Sequence, residues 1–264
     1  MRHGKVFGTL ALSLALGGAA VAQQPPPAPP GQTQLPSGFN ERKVDREPTP
    51  EDRRGIWVLN FHFKDPRVLM VDVPGVGRKP VWYLWYQVSN DTGEPRTFIP
   101  TFVWVCHDVN TIHTDSLIPT AQRTIAKMED PDNILNIRNS VTIAQQPIPV
   151  SKEFNERNER VAFPKMVTGV ATWDNVDPRT TQFSVFVFGL SDGFVEVDDV
   201  DGKKIVRRKA LQLKFRRLGD DKTQDSNQIR FVGHEWVYAT SDQPVPIIND
   251  PPRVPNEVAP RKKP

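Results

Sequence analysis

The chain has almost no cysteine. Cys106 is the only one in 264 residues, so no intramolecular disulfide can form and a disulfide-stapled scaffold is excluded. Beyond the N-terminus no apolar run approaches the roughly 20 residues that cross a bilayer, which excludes a helical membrane bundle. Heptads of Ala, Glu, Lys, Leu and Arg are missing too, which argues against a long coiled coil. Nor does one sign of charge prevail: 34 basic side chains face 31 acidic ones. Nucleic acid demands a concentrated positive field, so it is not an expected partner.

What is present begins with an address. Arg2 and Lys5 form a basic start, residues 6–16 an apolar stretch, and Ala20-Val21-Ala22 a small-residue cleavage site. Residues 1–22 read as a signal peptide, so export to the periplasm or the extracellular space is expected. The signal holds two basic residues and no acidic one, so a chain beginning at Gln23 is close to neutral, and the sequence pI of about 9.0 overstates its basicity. With the signal removed no membrane-spanning segment remains. No cysteine follows the apolar stretch to take a lipid.

Proline is abundant and unevenly placed. Of 26 prolines, eight fall within residues 23–50 and seven within 243–264. Such segments favour polyproline II geometry and carry too little apolar surface to fold. Residues 23–50 therefore read as a disordered linker, and residues 243–264, ending in Arg261-Lys262-Lys263-Pro264, as a basic tail. The folded unit is expected over residues 51–242.

Inside that unit the hydrophobic period is two. Trp57, Leu59, Phe61 and Phe63 share one face of a run over 55–63, and a second run covers 67–73. The run over 81–89 is apolar on both faces, as in a strand covered on both sides. Further runs cover 96–106, with Pro100 suggesting a bulge or an edge, and 166–173, 182–190, 194–199, 204–215 and 228–238. Asp201-Gly202 reads as a tight hairpin turn. Leu117, Ala121, Ile125 and Met128 recur at helical spacing behind Pro119. The expected fold is mainly β: a two-sheet antiparallel sandwich, immunoglobulin-like in general architecture, with one short helix.

Four features bear on chemistry. Gly189-Leu190-Ser191-Asp192-Gly193 matches the nucleophile-elbow pattern, yet the residues after it alternate like a strand rather than opening a helix, and the same residues suit an ordinary turn. Cys106, His107, Asp108, His113 and Asp115 supply a thiol, imidazoles and carboxylates within ten residues. His107, His113 and Asp115 are the metal alternative, but their spacing fits no helical face or knuckle, and Cys106 shares a strand face with Phe102 and Trp104. Trp82, Tyr83, Trp85 and Tyr86 are the candidate ligand platform, because exposed aromatic faces hold sugars; alternation lets at most one pair leave the core. Glu196, Asp198, Asp199 and Asp201 precede Lys203, Lys204, Arg207, Arg208 and Lys209. A calcium loop would need ligands at Val197 and Arg208, so facing hairpin arms explain that pattern better.

The strings Gly169-Val170-Ala171-Thr172-Trp173-Asp174, residues 183–193 and Arg208-Lys209-Ala210-Leu211-Gln212-Leu213 resemble segments of uncharacterised secreted proteins of planctomycete-type bacteria, over about a third of the chain. The resemblance implies a compartment and no catalytic residue. The expectation is an exported, non-catalytic binding or structural module of the cell envelope. It needs no cofactor, and its partner is an envelope protein or a polysaccharide. The alternative is a secreted hydrolase or metal-binding protein using the 106–115 region or Ser191.

Overall fold

The structure is a computed structural model, and it describes residues 41–151, 157, 165–198, 201–218, 228–242 and 244. The expected signal peptide, most of the expected linker and nearly all of the expected C-terminal tail lie outside the described residues.

Two antiparallel sheets pack face to face. The first holds β1 (Arg42–Val44), β2 (Asn60–Phe63), β3 (Arg67–Val73), β4 (Gly77–Ser89) and β7 (Met166–Trp173). The second holds β5 (Thr101–Cys106), β6 (Thr111–Thr114), β8 (Gln182–Phe188), β9 (Phe194–Asp198), β10 (Lys204–Arg217) and β11 (Ile229–Ala239). Each sheet is organised on one long strand. Along one edge of β4, β3 pairs with residues 77–83 and β2 with residues 86–89, while β7 takes the other edge. Along β10, β9 pairs with residues 204–208 and β8 with residues 211–216, and β11 lies opposite.

Alternation decides what lies between the sheets. Trp82, Leu84, Tyr86 and Val88 of β4 join Phe102 and Trp104 of β5, Phe183 of β8 and Leu211, Leu213 and Phe215 of β10 in the main core. Trp104 stacks on Phe183 with ring centroids 4.1 Å apart and leans on Trp82 and Trp173 at 5.5 and 5.2 Å. Such aromatic pairs contribute about 0.5–1.5 kcal/mol beyond the area they bury. The other face of β4, with Val81, Tyr83 and Trp85, lies under α1 (Pro119–Glu129), which docks through Ile118, Ala121 and Ile125.

Several expectations need correction. Residues 23–50 were expected to be linker throughout, but β1 pairs with β2 there, so the fold begins ahead of residue 51. There are two helices rather than one among the described residues: α2 (Ser140–Ile143) is a single turn held by an Asn139–Thr142 capping box. Leu117 and Met128 are exposed at 53% and 49%; Ile118 and Glu129 take their places on the buried stripe. Pro100 stands just before β5, which is an interior strand with β8 and β6 on its two sides. Asp201-Gly202 lies in a longer connection, since pairing stops at Asp198↔Lys204 and only Gly202 of the two has positive φ, at 74°.

The sandwich is stitched along both edges. On one, β6 pairs with β5, and the chain continues through Asp115, whose N–H donates to Phe102 O at 2.9 Å, to Ser116, whose N–H donates to Thr172 O of the other sheet at 2.8 Å. On the other, residues 45–59 cross from sheet to sheet: Trp236 Nε1 donates to Asp45 O, Lys209 Nζ to Glu47 O, and Leu59 N to Leu190 O.

Candidate functional site

The aromatic platform does not form. Trp82 and Tyr86 point between the sheets and Tyr83 and Trp85 point under α1, and each is at most 2% exposed. The alternation that splits the four residues into two pairs is real, but each face of β4 has a cover of its own. Trp85 meets the ammonium of Lys64, 4.2 Å from its ring centroid. None of the four presents a face to solvent.

The 106–115 segment is a hairpin, with β5 returning through a turn at Asn110 into β6. Cys106 is fully buried in the main core. His107 lies 2.8 Å from Ser184 Oγ on β8, and burial foremost pushes its imidazole below the ordinary value, with Lys214 adding to the shift and Asp108 opposing it. Burial also tends to raise Asp108, but the N–H and hydroxyl of Thr181 and the N–H of Gln182 outweigh it and hold that carboxyl below the usual range. His113 lies 3.0 Å from Thr111 Oγ1 within its own strand. Asp115 accepts hydrogen bonds from Phe102 N–H and from the Ser140 hydroxyl at the start of α2. His107, His113 and Asp115 thus serve three different neighbours. Among the described residues no three His, Cys, Asp or Glu side chains gather as a metal would require.

Ser191 belongs to a turn. Its hydroxyl donates to Trp57 O at 2.8 Å and accepts from Gly193 N at 3.0 Å, while Asp192 accepts from Trp57 N at 2.9 Å. β9 follows directly, where an elbow would need a helix. This oxygen is already engaged on both sides. The charge runs do face each other in the β9–β10 hairpin, with Asp198 opposite Lys204 and Glu196 diagonal to Lys204 and Arg208.

What sequence reasoning missed lies at the first stitched edge. Between the 112–116 segment and the end of β7 is an open cleft of about 330 Å³, lined by Ile112, His113, Ser116, Trp173, Asp174 and Asn175 among others. Asp174 is bridged at 2.5 Å by Lys79 of β4. The Ser116 hydroxyl has only long contacts, 3.4 Å to Thr172 O and 3.5 Å to Asp174 Oδ1. The Trp173 ring backs the cleft from the main core, where it packs on Trp104, and among the described residues its buried indole N–H meets no acceptor. Burial foremost holds His113 below its ordinary pKa, against the opposing pull of Asp177 and Asp174, so the imidazole is neutral at pH 7. Of the candidate metal ligands, His113 and Asp115 line this cleft beside a serine and a lysine–carboxylate pair. No family model matches the chain, and neither a curated protein nor a solved structure matches it. The cleft has fixed walls, because Ser116 and Thr172 join the sheets by two hydrogen bonds, Ser116 N–H to Thr172 O and Thr172 hydroxyl to Ser116 O.

Proposed function

We propose that the protein is an exported, non-catalytic binding module of the cell envelope, with the cleft at the β6–β7 edge as its ligand site. One observation carries the reading: this rigid cleft offers a serine hydroxyl held only by long contacts, whereas the serine and the histidine–carboxylate candidates for catalysis fix turns and strand ends. Binding favours such an arrangement, because a preformed site loses little conformational entropy on taking a ligand. Hydrolysis needs a nucleophile with a base in reach, and Ser191 has backbone groups there instead. The basic and apolar start of the chain and its Ala20-Val21-Ala22 small-residue site support the compartment. Among the described residues no helix is long and apolar enough to cross a membrane.

Two measurements test this. Intact mass of the native protein should place Gln23 at the N-terminus, and full-length chain recovered from the cytoplasm would remove export. Purified protein should co-sediment with insoluble envelope polysaccharide without releasing soluble sugar or peptide. Steady release of either would put a hydrolase in its place.

A further inference from the structure

We infer that the β6–β7 cleft binds a neutral saccharide unit through its hydroxyl groups; this deepens the binding-module reading and rests on it. Size comes first. At about 330 Å³ the cleft is at the small end of ligand sites, which run from roughly 300 to 1,000 Å³, so it suits one or two sugar rings rather than a folded partner.

Charge selects next. Every carboxylate near the cleft is already answered: Asp174 by Lys79 at 2.5 Å, Asp177 by Arg179 at 2.8 Å, and Asp115 by the Ser140 hydroxyl and the Phe102 N–H. The Lys79 ammonium stands where a cation would have to bind Asp174. Among the described residues the lining holds no lysine or arginine to receive an anion, and Lys79 is committed to Asp174. With both ions disfavoured, a neutral ligand remains.

Hydrogen-bonding capacity then points to hydroxyls. Ser116 offers a hydroxyl held only by contacts of 3.4 and 3.5 Å, at the long limit of useful geometry. Asn175 brings an amide that donates and accepts. A sugar hydroxyl donates and accepts at one atom, which is what this mixed lining needs. Ile112, 44% exposed on the rim, offers an apolar surface for the C–H face of a ring.

The experiment measures binding of the full mature chain to soluble neutral oligosaccharides (glucose, mannose and N-acetylglucosamine oligomers) and to uronic-acid oligomers, by calorimetry with and without chelator. Saturable binding to a neutral series, unchanged by chelator and weakened at least tenfold by Ser116→Ala and by Asn175→Ala, is the expected result. Circular dichroism confirms that both variants fold, and Ile134→Ser, on an exposed loop outside the cleft lining, should bind as wild type. A preference for the acidic oligomers, a requirement for a divalent cation, or neutral binding untouched by both substitutions overturns the assignment. Binding to whole envelope material with no response to either substitution overturns the saccharide cleft while the module reading stands. Failure to bind envelope material at all overturns both.

Discussion

Lys64 and Lys209 hold corresponding places in the two sheets. Lys64 fills the gap where β2 and β3 share one edge of β4, its N–H donating to Trp85 O; Lys209 faces the gap where β8 and β9 share one edge of β10, its N–H donating to Gly193 O. Both are at most 1% exposed, each lies over a tryptophan ring, and each ammonium meets a carboxylate: Glu129 for Lys64 and Asp52 for Lys209. An interrupted strand leaves backbone groups and side-chain space unfilled. A long cationic side chain fills the space, and its charge then requires a carboxylate from outside the sheet. In the first sheet that carboxylate comes from α1, and in the second from the segment ahead of β2. The interruptions thus explain why these two covering elements dock where they do.

The Lys64 pair yields the first prediction. Lys64 and Glu129 are 2.9 Å apart with side chains only 2% exposed, and Glu129 also accepts from the Tyr83 hydroxyl at 2.9 Å. Removing one buried partner strands the other, at a cost of about 3–5 kcal/mol. Glu129→Leu should lose that much in urea unfolding. Lys64→Met with Glu129→Leu should recover part of it, since no buried ammonium is then stranded, although the Tyr83 hydroxyl and the Arg67 guanidinium, 3.4 Å from the carboxylate, both lose it. A single-variant loss under about 1 kcal/mol would mean that water reaches the pair.

The Asp52 pair gives the second. Burial tends to raise the Asp52 carboxyl, but Lys209, the N–H and hydroxyl of Thr49 and the Tyr238 hydroxyl together hold it below its ordinary 3.8. A depressed folded-state value means that the stabilisation is complete above pH 3.8 and is lost as pH falls through the folded value. His62, His107 and His113 are also depressed, chiefly by burial, so their share is present above pH 6.5 and is lost as pH falls below it. Unfolding free energy should therefore decline in two acid stages, and Asp52→Asn should flatten only the lower one. Equal flattening of both would refute the assignment.

Much of this architecture is legible in the chain, and the exceptions share a cause. β3 and β7 coincide with the alternating runs 67–73 and 166–173, and β8, β9, β10 and β11 fall within two residues of theirs, because breakers bound each run. β1 is three residues beside a proline-rich stretch, and its strand character comes from its pairing with β2 rather than from its own composition. β6, with the sequence Thr-Ile-His-Thr, is likewise imposed by β5. The cleft has no local signature, because Ser116 and Thr172 meet across 56 residues of sequence. Trp173-Asp174 was visible as a string but not as a wall. Long-range pairing made both the missed strands and the missed site.

Gly169 supplies the third prediction. It pairs with Tyr86 across β4 and β7, and a Cβ there would run into the Tyr86 ring and hydroxyl. Tyr86 is fully buried and its hydroxyl has no partner. Overpacking of this kind costs about 1–3 kcal/mol, and Gly169→Ala should lose that much in thermal or urea unfolding. Tyr86→Phe should cost less than about 1 kcal/mol, because no hydrogen bond is lost. In a Tyr86→Leu background the Gly169→Ala increment should shrink. An unchanged increment would show that the glycine serves the backbone rather than the ring.

Asp115 reverses the pH logic of Asp52. It joins β5 to α2 by accepting from the Phe102 N–H and the Ser140 hydroxyl, yet burial outweighs those bonds and raises its carboxyl above the ordinary 3.8. A raised folded-state value means that the unfolded chain gives up this proton first. Between 3.8 and the folded value the native state binds more protons, so this carboxyl's contribution falls as pH rises, and at pH 7 it is a net penalty. Asp115→Asn keeps an oxygen for the Phe102 N–H and turns an amide donor toward the Ser140 oxygen, without the buried charge. The variant should match or exceed wild-type stability at pH 7, and its advantage should shrink as pH falls toward 3.8. Asp115→Ala removes both acceptors and should lose about 1–3 kcal/mol at either pH. Urea unfolding of the three proteins at both pH values separates the contributions. If Asn costs as much as Ala at pH 7, then the charge itself, rather than the two hydrogen bonds, holds the corner on which the cleft is built.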